Sequence, residues 1–145
     1  MGFDRAAQRA DRLEGLARRR GIRLMLQFGS TVAGKTHPRS DTDIAVLFES
    51  GQVPLRALFE VGEELRDVFP GQEIDLAVLN HADPLFLKQI TDRCRLLFGR
   101  PRDLAALRLY AFKRYQDYRR FLALERRFVS SRLAVLCAGN GAGHD

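Results

Sequence analysis

Residues 24–46 read LMLQFGSTVAGKTHPRSDTDIAV, and the rest of the chain is interpreted outward from this stretch. It predicts a short apolar strand over residues 24–28 that runs into Gly29-Ser30. After ten further residues, Asp41-Thr42-Asp43 opens a second predicted strand over 42–48. Because strand side chains alternate between faces, Asp41 and Asp43 are expected to point the same way. Two carboxylates that converge on one spot repel each other unless a cation lies between them.

Magnesium is the cation that such a pair favours, since it takes oxygen ligands and completes its shell with waters and substrate phosphates. Asp75 interrupts a third apolar strand, residues 73–79, on the face opposite its apolar neighbours. If this strand lies beside the second, Asp41, Asp43 and Asp75 form one cluster. A cluster of this kind suits two metal ions, one that holds a triphosphate and one that lowers the pKa of an attacking hydroxyl.

The Gly29-Ser30 step suits a phosphate, because glycine allows close approach to exposed backbone N–H groups and Ser30 adds a hydroxyl donor. Each part of the pattern is weak alone. A Gly-Ser pair is common, an isolated Asp-x-Asp is usually a turn or a strand-edge cap, and Asp75 alone fits a solvent-facing edge. The combination along three predicted strands is far more specific, and it favours a site for a nucleotide and its metals.

A rival motif shares these residues. Residues 29–36, GSTVAGKT, also fit the P-loop pattern G-x-x-x-x-G-K-[ST] after a strand. A P-loop places its Lys-Thr in the first turn of a long helix whose N-terminus faces the phosphates. Here Pro38 follows almost at once and the chain then enters a strand, so no long helix is expected to begin at Gly34. The P-loop interpretation is therefore disfavoured.

The hydrophobic periodicity predicts alternating helices and strands, with a long helix at the C-terminal end. Helices are predicted over 4–20, 31–36 (one or two turns), 54–69, 83–93 and 101–132, and strands over 24–28, 42–48, 73–79 and 94–98. This order predicts an α/β (α+β) fold with a small mixed sheet of about four strands flanked by helices. We expect one domain over 1–100, a helical extension over 101–132 and a disordered tail over 133–145.

The composition is that of a globular protein, with 145 residues of which 46% are hydrophobic. No apolar run approaches the length of a membrane span, and the charged start is unlike a secretory signal. Cys94 and Cys137 stand far apart in no metal-binding spacing. They are interpreted as reduced thiols, which predicts a cytoplasmic protein.

The net charge of +6 is unevenly distributed. Residues 1–99 are neutral overall, whereas residues 100–132 carry 10 basic and 3 acidic side chains. Such a segment suits nucleic acid, an acidic protein or an anionic surface, and it equally suits a solvated, arginine-rich helix face. No aromatic-and-basic recognition motif accompanies it, so direct nucleic-acid binding is not expected.

The pattern Gly29-Ser30-x10-Asp41-Thr42-Asp43-Ile-Ala-Val resembles the minimal nucleotidyltransferase branch of the DNA-polymerase-β-like superfamily. More closely, it is similar to the MntA-type antitoxins that pair with HEPN-domain toxins. The similarity spans about residues 20–125. It extends to further features: Gly34, Pro38 and Ser40 in the spacer, EIDLAVLN at 73–80, ADPLF at 82–86, residues 93–98 and the long aromatic-basic helix.

This resemblance implies ATP, two magnesium ions and transfer of AMP to a hydroxyl. In the antitoxin branch the acceptor is a tyrosine of the partner HEPN toxin, a ribonuclease that the modification silences in a type VII toxin–antitoxin system. By matching position, Gly29 and Ser30 bind the nucleotide phosphates, Asp41 and Asp43 hold the metals, and Asp75 completes the metal site and helps to deprotonate the acceptor. The family often has an arginine where this chain has Ala33.

Two other functions remain open from the sequence. The chain can neutralise its partner by binding alone, through the basic-aromatic segment 104–128, or it can be a small-molecule nucleotidyltransferase, which usually needs a second domain for the acceptor. Lys88 is either a nucleotide-binding or a solvated side chain. Three tyrosines of the last helix are either partner-facing anchors or packing residues: Tyr110, Tyr115 and Tyr118.

Overall fold

A computed structural model describes residues 2–29 and 41–141, with side chains as far as residue 136. Four helices and four strands occupy this part of the chain. They are α1 (Gly2–Arg20), β1 (Ile22–Phe28), β2 (Thr42–Phe48), α2 (Leu55–Val68), β3 (Ile74–Val78), α3 (Pro84–Asp92), β4 (Cys94–Phe98) and α4 (Pro101–Gly141). The helices and strands predicted within the described residues are therefore confirmed, and the predicted turns at 31–36 lie outside them.

The four strands form one mixed sheet in the order β3-β2-β1-β4. β1 lies in the middle and runs antiparallel to both β2 and β4. β2 and β3 are parallel, because α2 carries the chain back to the edge at which β2 began. The predicted mixed sheet flanked by helices is thus confirmed. A parallel β2–β3 pair has one functional consequence, which is that both strands begin at the same edge.

Two layers of helices cover the two faces of the sheet. α1 and α2 pack on one face, where they enclose alternate residues of β2 that include Ile44, Val46 and Phe48. α3 and the first part of α4 pack on the other face, against Ala45 and the partly buried Leu47. Successive residues of β2 therefore pack alternately into the two cores, as expected of a strand that is covered on both faces.

The long helix α4 belongs to the domain only in its first half. Leu104, Leu107 and Ala111 are buried against α3 and the sheet. Every residue of 119–136 is exposed except Leu122, which is half-buried. We call residues 119–136 the distal α4 segment. A helix of 41 residues is about 60 Å long, so this segment extends well beyond the sheet.

The end of α4 differs from the prediction. The sequence predicted a helical extension that ends at residue 132 and a disordered tail over 133–145, but the helix continues to Gly141. Its continuation has a physical reason, because Leu133, Ala134 and Leu136 are strong helix formers and the first glycine of this region is Gly139. The division into two domains at residue 100 stays a prediction.

Lys88 and Tyr115 meet at the contact between α3 and α4. The Lys88 ammonium is 2.5 Å from a carboxylate oxygen of Asp92 and lies 5.6 Å from the centre of the Tyr115 ring. Tyr115 and Tyr118 are half-buried, whereas Tyr110 is exposed. Lys88 thus forms an ion pair within α3 and a cation–π contact that joins α3 to α4. No helix within the described ranges is long and apolar enough to cross a membrane.

Candidate active site

The predicted carboxylates meet at one edge of the sheet. Phe28, at the end of β1, is the direct partner of Asp43 in β2, and Asp43 is the direct partner of Asp75 in β3. Directly paired residues of neighbouring strands project from the same face. Phe28, Asp43 and Asp75 therefore form one row across three strands, on the face that α3 and α4 cover. The expected proximity of the second and third strands is confirmed.

Asp43 is the residue whose electrostatics are most perturbed in this row. Partial burial raises the pKa of the Asp43 carboxyl, and the negative charges of Asp75 and Asp41 raise it further. A hydrogen bond to Asp75 adds to the effect, because only a protonated Asp43 can donate to the second carboxylate. Two oxygen-donor groups held this way accept either a shared proton or a hard divalent cation.

Asp41 is placed less firmly than the other two carboxylates. β2 begins at Thr42, so Asp41 precedes the strand and alternation alone does not fix its direction. Its negative charge nevertheless acts on Asp43. Among residues 2–29 and 41–136, no set of three His, Cys, Asp or Glu side chains is arranged to hold a metal ion. The three-carboxylate cluster of Asp41, Asp43 and Asp75 stays a prediction, and the described residues bring Asp43 and Asp75 together.

Gly29 is required by the backbone and by the crowding around Asp43. Its φ of 86° lies in the left-handed region that L side chains rarely adopt. A Cβ at this position would overlap a carboxylate oxygen of Asp43 and lie 3.1 Å from its Cγ. The backbone after β1 thus passes directly over the Asp43 carboxylate. Ser30, the other predicted phosphate-binding residue, lies outside the described residues, as does the P-loop-like segment that follows it.

Two aromatic side chains, Phe28 of the row and Phe86 of α3, lie beside the carboxylate pair. Sequence reasoning assigned no role to either. Phe86 in the first turn of α3 lies edge to face with Phe28, with ring centroids 6.2 Å apart and planes at 85°. The signal available in the sequence was Asp83-Pro84, a helix start that fixes the position of Phe86. Phe28 was already the last residue of the predicted strand that runs into Gly29, so its place next to the site could be read from the sequence.

An open groove of about 1000 Å³ lies away from the carboxylate pair, at the opposite edge of the sheet, between α1, the start of β1 and the end of β4. Its walls combine three arginines with three carboxylates, so its charges are balanced: Arg18, Arg23, Arg100, Glu14, Glu49 and Asp103. The carboxylate pair does not line this groove. The groove therefore does not locate the site, whereas the chemistry of Asp43 and Asp75 does.

Gly29→Ala should destabilise the protein more than Gly21→Ala. Both glycines have positive φ, 86° and 66°, but only Gly29 faces an obstacle, since open space surrounds Gly21. The backbone penalty of about 1–2 kcal/mol should appear in both variants, with an additional steric cost only at Gly29. Urea unfolding followed by circular dichroism measures both. Equal losses in the two variants would show that the Gly29 backbone does not press on Asp43.

Asp43→Asn should raise the Tm of the metal-free protein near neutral pH. Because the pKa of Asp43 is higher in the folded state than in the unfolded state, wild-type stability falls as the pH rises through the folded-state pKa. The neutral amide removes this penalty, so the two Tm curves should converge at acidic pH. Thermal unfolding between about pH 4 and about pH 8 checks this. Asp67→Asn, at an exposed carboxylate of α2, is the control, and a lower Tm for Asp43→Asn would contradict the expected repulsion.

Comparison with solved structures confirms the fold. One chain of a toxin–antitoxin complex with AMP-PNP superposes with a TM-score of 0.67 and 24% identity, covering 86% of this chain and 98% of that chain. A chain from the complex of tri-AMPylated Shewanella oneidensis HEPN toxin with MNT antitoxin gives 0.62 and 21%, covering 89% and 98%. A chain from the toxin–antitoxin complex MntA-HepT gives 0.61 and 22%, covering 88% and 98%.

Comparison by sequence gives the family. None of the curated proteins matches the chain. The family described as polymerase beta, nucleotidyltransferase, matches residues 13–103. The matched region contains all four strands, Gly29 and both members of the carboxylate pair. Because this match extends over more than half of the sequence, the chain belongs to the polymerase β nucleotidyltransferase family.

Proposed function

We propose that this chain is an antitoxin that transfers AMP from ATP to a tyrosine hydroxyl of a HEPN ribonuclease toxin in the cytoplasm and so inactivates it. The observation that carries the transfer is the Asp43–Asp75 pair beside Gly29, in a chain of the nucleotidyltransferase family. Two carboxylates paired directly on neighbouring strands repel each other and are costly to keep in a fold. The presence of this pair at one sheet edge supports a site selected for chemistry.

The residues of the site divide into two tasks. The Gly29 backbone and Ser30 would hold the phosphates, as glycine permits close approach of a phosphate to the main chain. Asp41, Asp43 and Asp75 would hold magnesium, and their oxygen donors fit that ion. When bound, magnesium neutralises charge on the triphosphate. Its positive charge would also offset the repulsion between Asp43 and Asp75, which accounts for a pair that is unfavourable by itself.

The proposed transfer is a single displacement at the α-phosphorus. The acceptor oxygen forms a bond to the α-phosphorus while the bond to the bridging oxygen of the β-phosphate breaks, and pyrophosphate leaves with the electron pair. The acceptor proton passes to a carboxylate oxygen of Asp75, the more exposed member of the pair. Asp43, held between Phe28 and Asp75, keeps its place because its own strand is buried on both sides.

The similar structures support a HEPN toxin as the partner and as the protein that is modified. Their names describe toxin–antitoxin complexes, one with AMP-PNP and one with a tri-AMPylated HEPN toxin. At 21–24% identity the structural similarity shows the fold alone. The partner is therefore part of the proposal. The family membership and the carboxylate pair support nucleotide transfer independently of that inference.

Asp43→Asn and Asp75→Asn should each lower AMP transfer by about 100-fold or more, since each removes a charge that the reacting phosphates and magnesium require. The measurement is the transfer of label from α-labelled ATP, with magnesium, to a co-expressed HEPN partner. Asp67→Asn is the control, because this exposed carboxylate lies on the other helical layer. Unchanged labelling in both site variants would refute the assignment of the pair.

The distal α4 segment is suited to bind the protein partner. It carries seven exposed large apolar side chains: Phe121, Leu124, Phe128, Val129, Leu133, Val135 and Leu136. Five arginines and one glutamate accompany them. A helix that exposes this much apolar surface is expected to bury it against another protein. Its excess of positive charge favours a partner with an acidic surface.

Truncation after Leu122 should abolish partner binding and leave ATP binding unchanged. The residues of α4 that pack in the core lie before this point, and the apolar side chains Leu124, Phe128 and Leu133 lie after it. Co-purification with the HEPN partner and calorimetric titration with ATP measure the two properties. Truncation at Pro101, by contrast, would remove Leu104 and Leu107 from the core and unfold the domain. If the chain truncated after Leu122 still co-purifies with the HEPN partner, the distal α4 segment is not the interface.

The same segment favours a second function, neutralisation by binding alone. In that case the Asp43→Asn variant would still protect cells from the toxin while the chain truncated after Leu122 would not. Under the proposed catalytic function, both changes remove protection. For a small-molecule nucleotidyltransferase, no observation on the described residues gives comparable support.

A further inference from the structure

Phe86 is held at the rim of the candidate active site with part of its ring open to solvent. Its side chain is 36% exposed, although it lies in the first turn of a helix that packs on the sheet. Its backbone N–H donates to Oδ1 of Asp83 at 2.9 Å, and Pro84 fixes the first helical residue. Both features restrict the backbone at the start of α3. Phe86 is therefore positioned before any ligand arrives.

The contact between Phe86 and Phe28 leaves aromatic surface available. The two rings are nearly perpendicular, with an interplanar angle of 85° and centroids 6.2 Å apart. In an edge-to-face pair, each ring keeps at least one face that its partner does not cover. The partial exposure of Phe86 agrees with a free face. Phe28 acts as the support that fixes the direction of the Phe86 ring.

The position of this pair relates it to the nucleotide. Phe28 directly precedes Gly29 in the chain and is the cross-strand partner of Asp43. Both of those residues belong to the proposed phosphate and metal site. The Phe86 ring therefore lies next to the place where the triphosphate is held. The base of a nucleotide is joined to the α-phosphate only through the ribose, so it must lie close beside that place.

Resting on the proposed function, we propose that Phe86 is a nucleotide-binding residue whose exposed ring face stacks on the base of ATP. Base–aromatic stacking is favourable and tolerant of base identity, because every base has a π-face. The contact would fix the orientation of the α-phosphate relative to Asp43 and Asp75. It would add affinity that depends on the base and not on the phosphates.

The test compares two ligands that differ in the presence of a nucleoside. ATP and inorganic tripolyphosphate are titrated calorimetrically, with magnesium, into the full chain. Phe86→Ala and Phe86→Leu should weaken ATP binding by roughly 5- to 100-fold and leave tripolyphosphate binding unchanged. Phe86→Tyr should bind ATP as the wild type does, because it keeps the ring. Phe86→Leu preserves most of the apolar volume, so it separates the loss of stacking from the loss of packing.

The controls distinguish this inference from the function on which it rests. Phe59→Ala, at an exposed phenylalanine of α2 in the other helical layer, should bind both ligands as the wild type does. Equal weakening of ATP and tripolyphosphate in Phe86→Leu would overturn the stacking role, since it would show a structural effect. Unchanged ATP affinity with a raised KM for the protein acceptor would also overturn it and assign the ring to the acceptor tyrosine. A wild-type chain that binds neither ligand would overturn the proposed function together with the inference.

Discussion

The repulsion between Asp43 and Asp75 is the constraint around which this domain is arranged. The two carboxylates are paired directly on adjacent parallel strands, and burial and charge together raise the pKa of Asp43. Such a pair persists only where the rest of the fold holds the strands in register. Here β2 is buried on both faces, and α2 fixes the parallel crossover to β3. The strands cannot separate to relieve the repulsion without exposing both layers of the core.

The same arrangement accounts for the residues that surround the pair. At position 29, only glycine allows the backbone to pass so close to Asp43 at a positive φ. Thr42 is almost fully buried, its N–H donates to the carbonyl of Glu73 at 2.7 Å, and its hydroxyl bonds to Gln72. These contacts join the starts of β2 and β3 directly. The starts of the two strands are therefore held together where the carboxylates of Asp43 and Asp75 meet.

Much of the fold and part of the site were predictable from the sequence because period-two and helical patterns are local. The alternation in 73–79 placed Asp75 on the opposite face from Ile74, and the structure confirms its pairing with Asp43. The role of Phe86 was not predictable, because its ring reaches the site through a contact between α3 and β1 that no local pattern encodes. The extent of α4 was underestimated although its signal was local. Leu133, Ala134 and Leu136 are strong helix formers, and the helix continues through them beyond residue 132.

Under the proposed function, the separation along α4 between the part that packs and the part that remains exposed affects how many times this chain can modify one partner molecule. Leu136 lies about 20 Å beyond Leu122, the last half-buried residue of α4 up to residue 136. Under the proposed function, a toxin held by the distal α4 segment stays attached while its acceptor hydroxyl is modified at Asp43. The acceptor side chain then has a high effective concentration without being part of the tether. The complex would survive each transfer, so several hydroxyls within reach of the site would be modified in succession during one encounter.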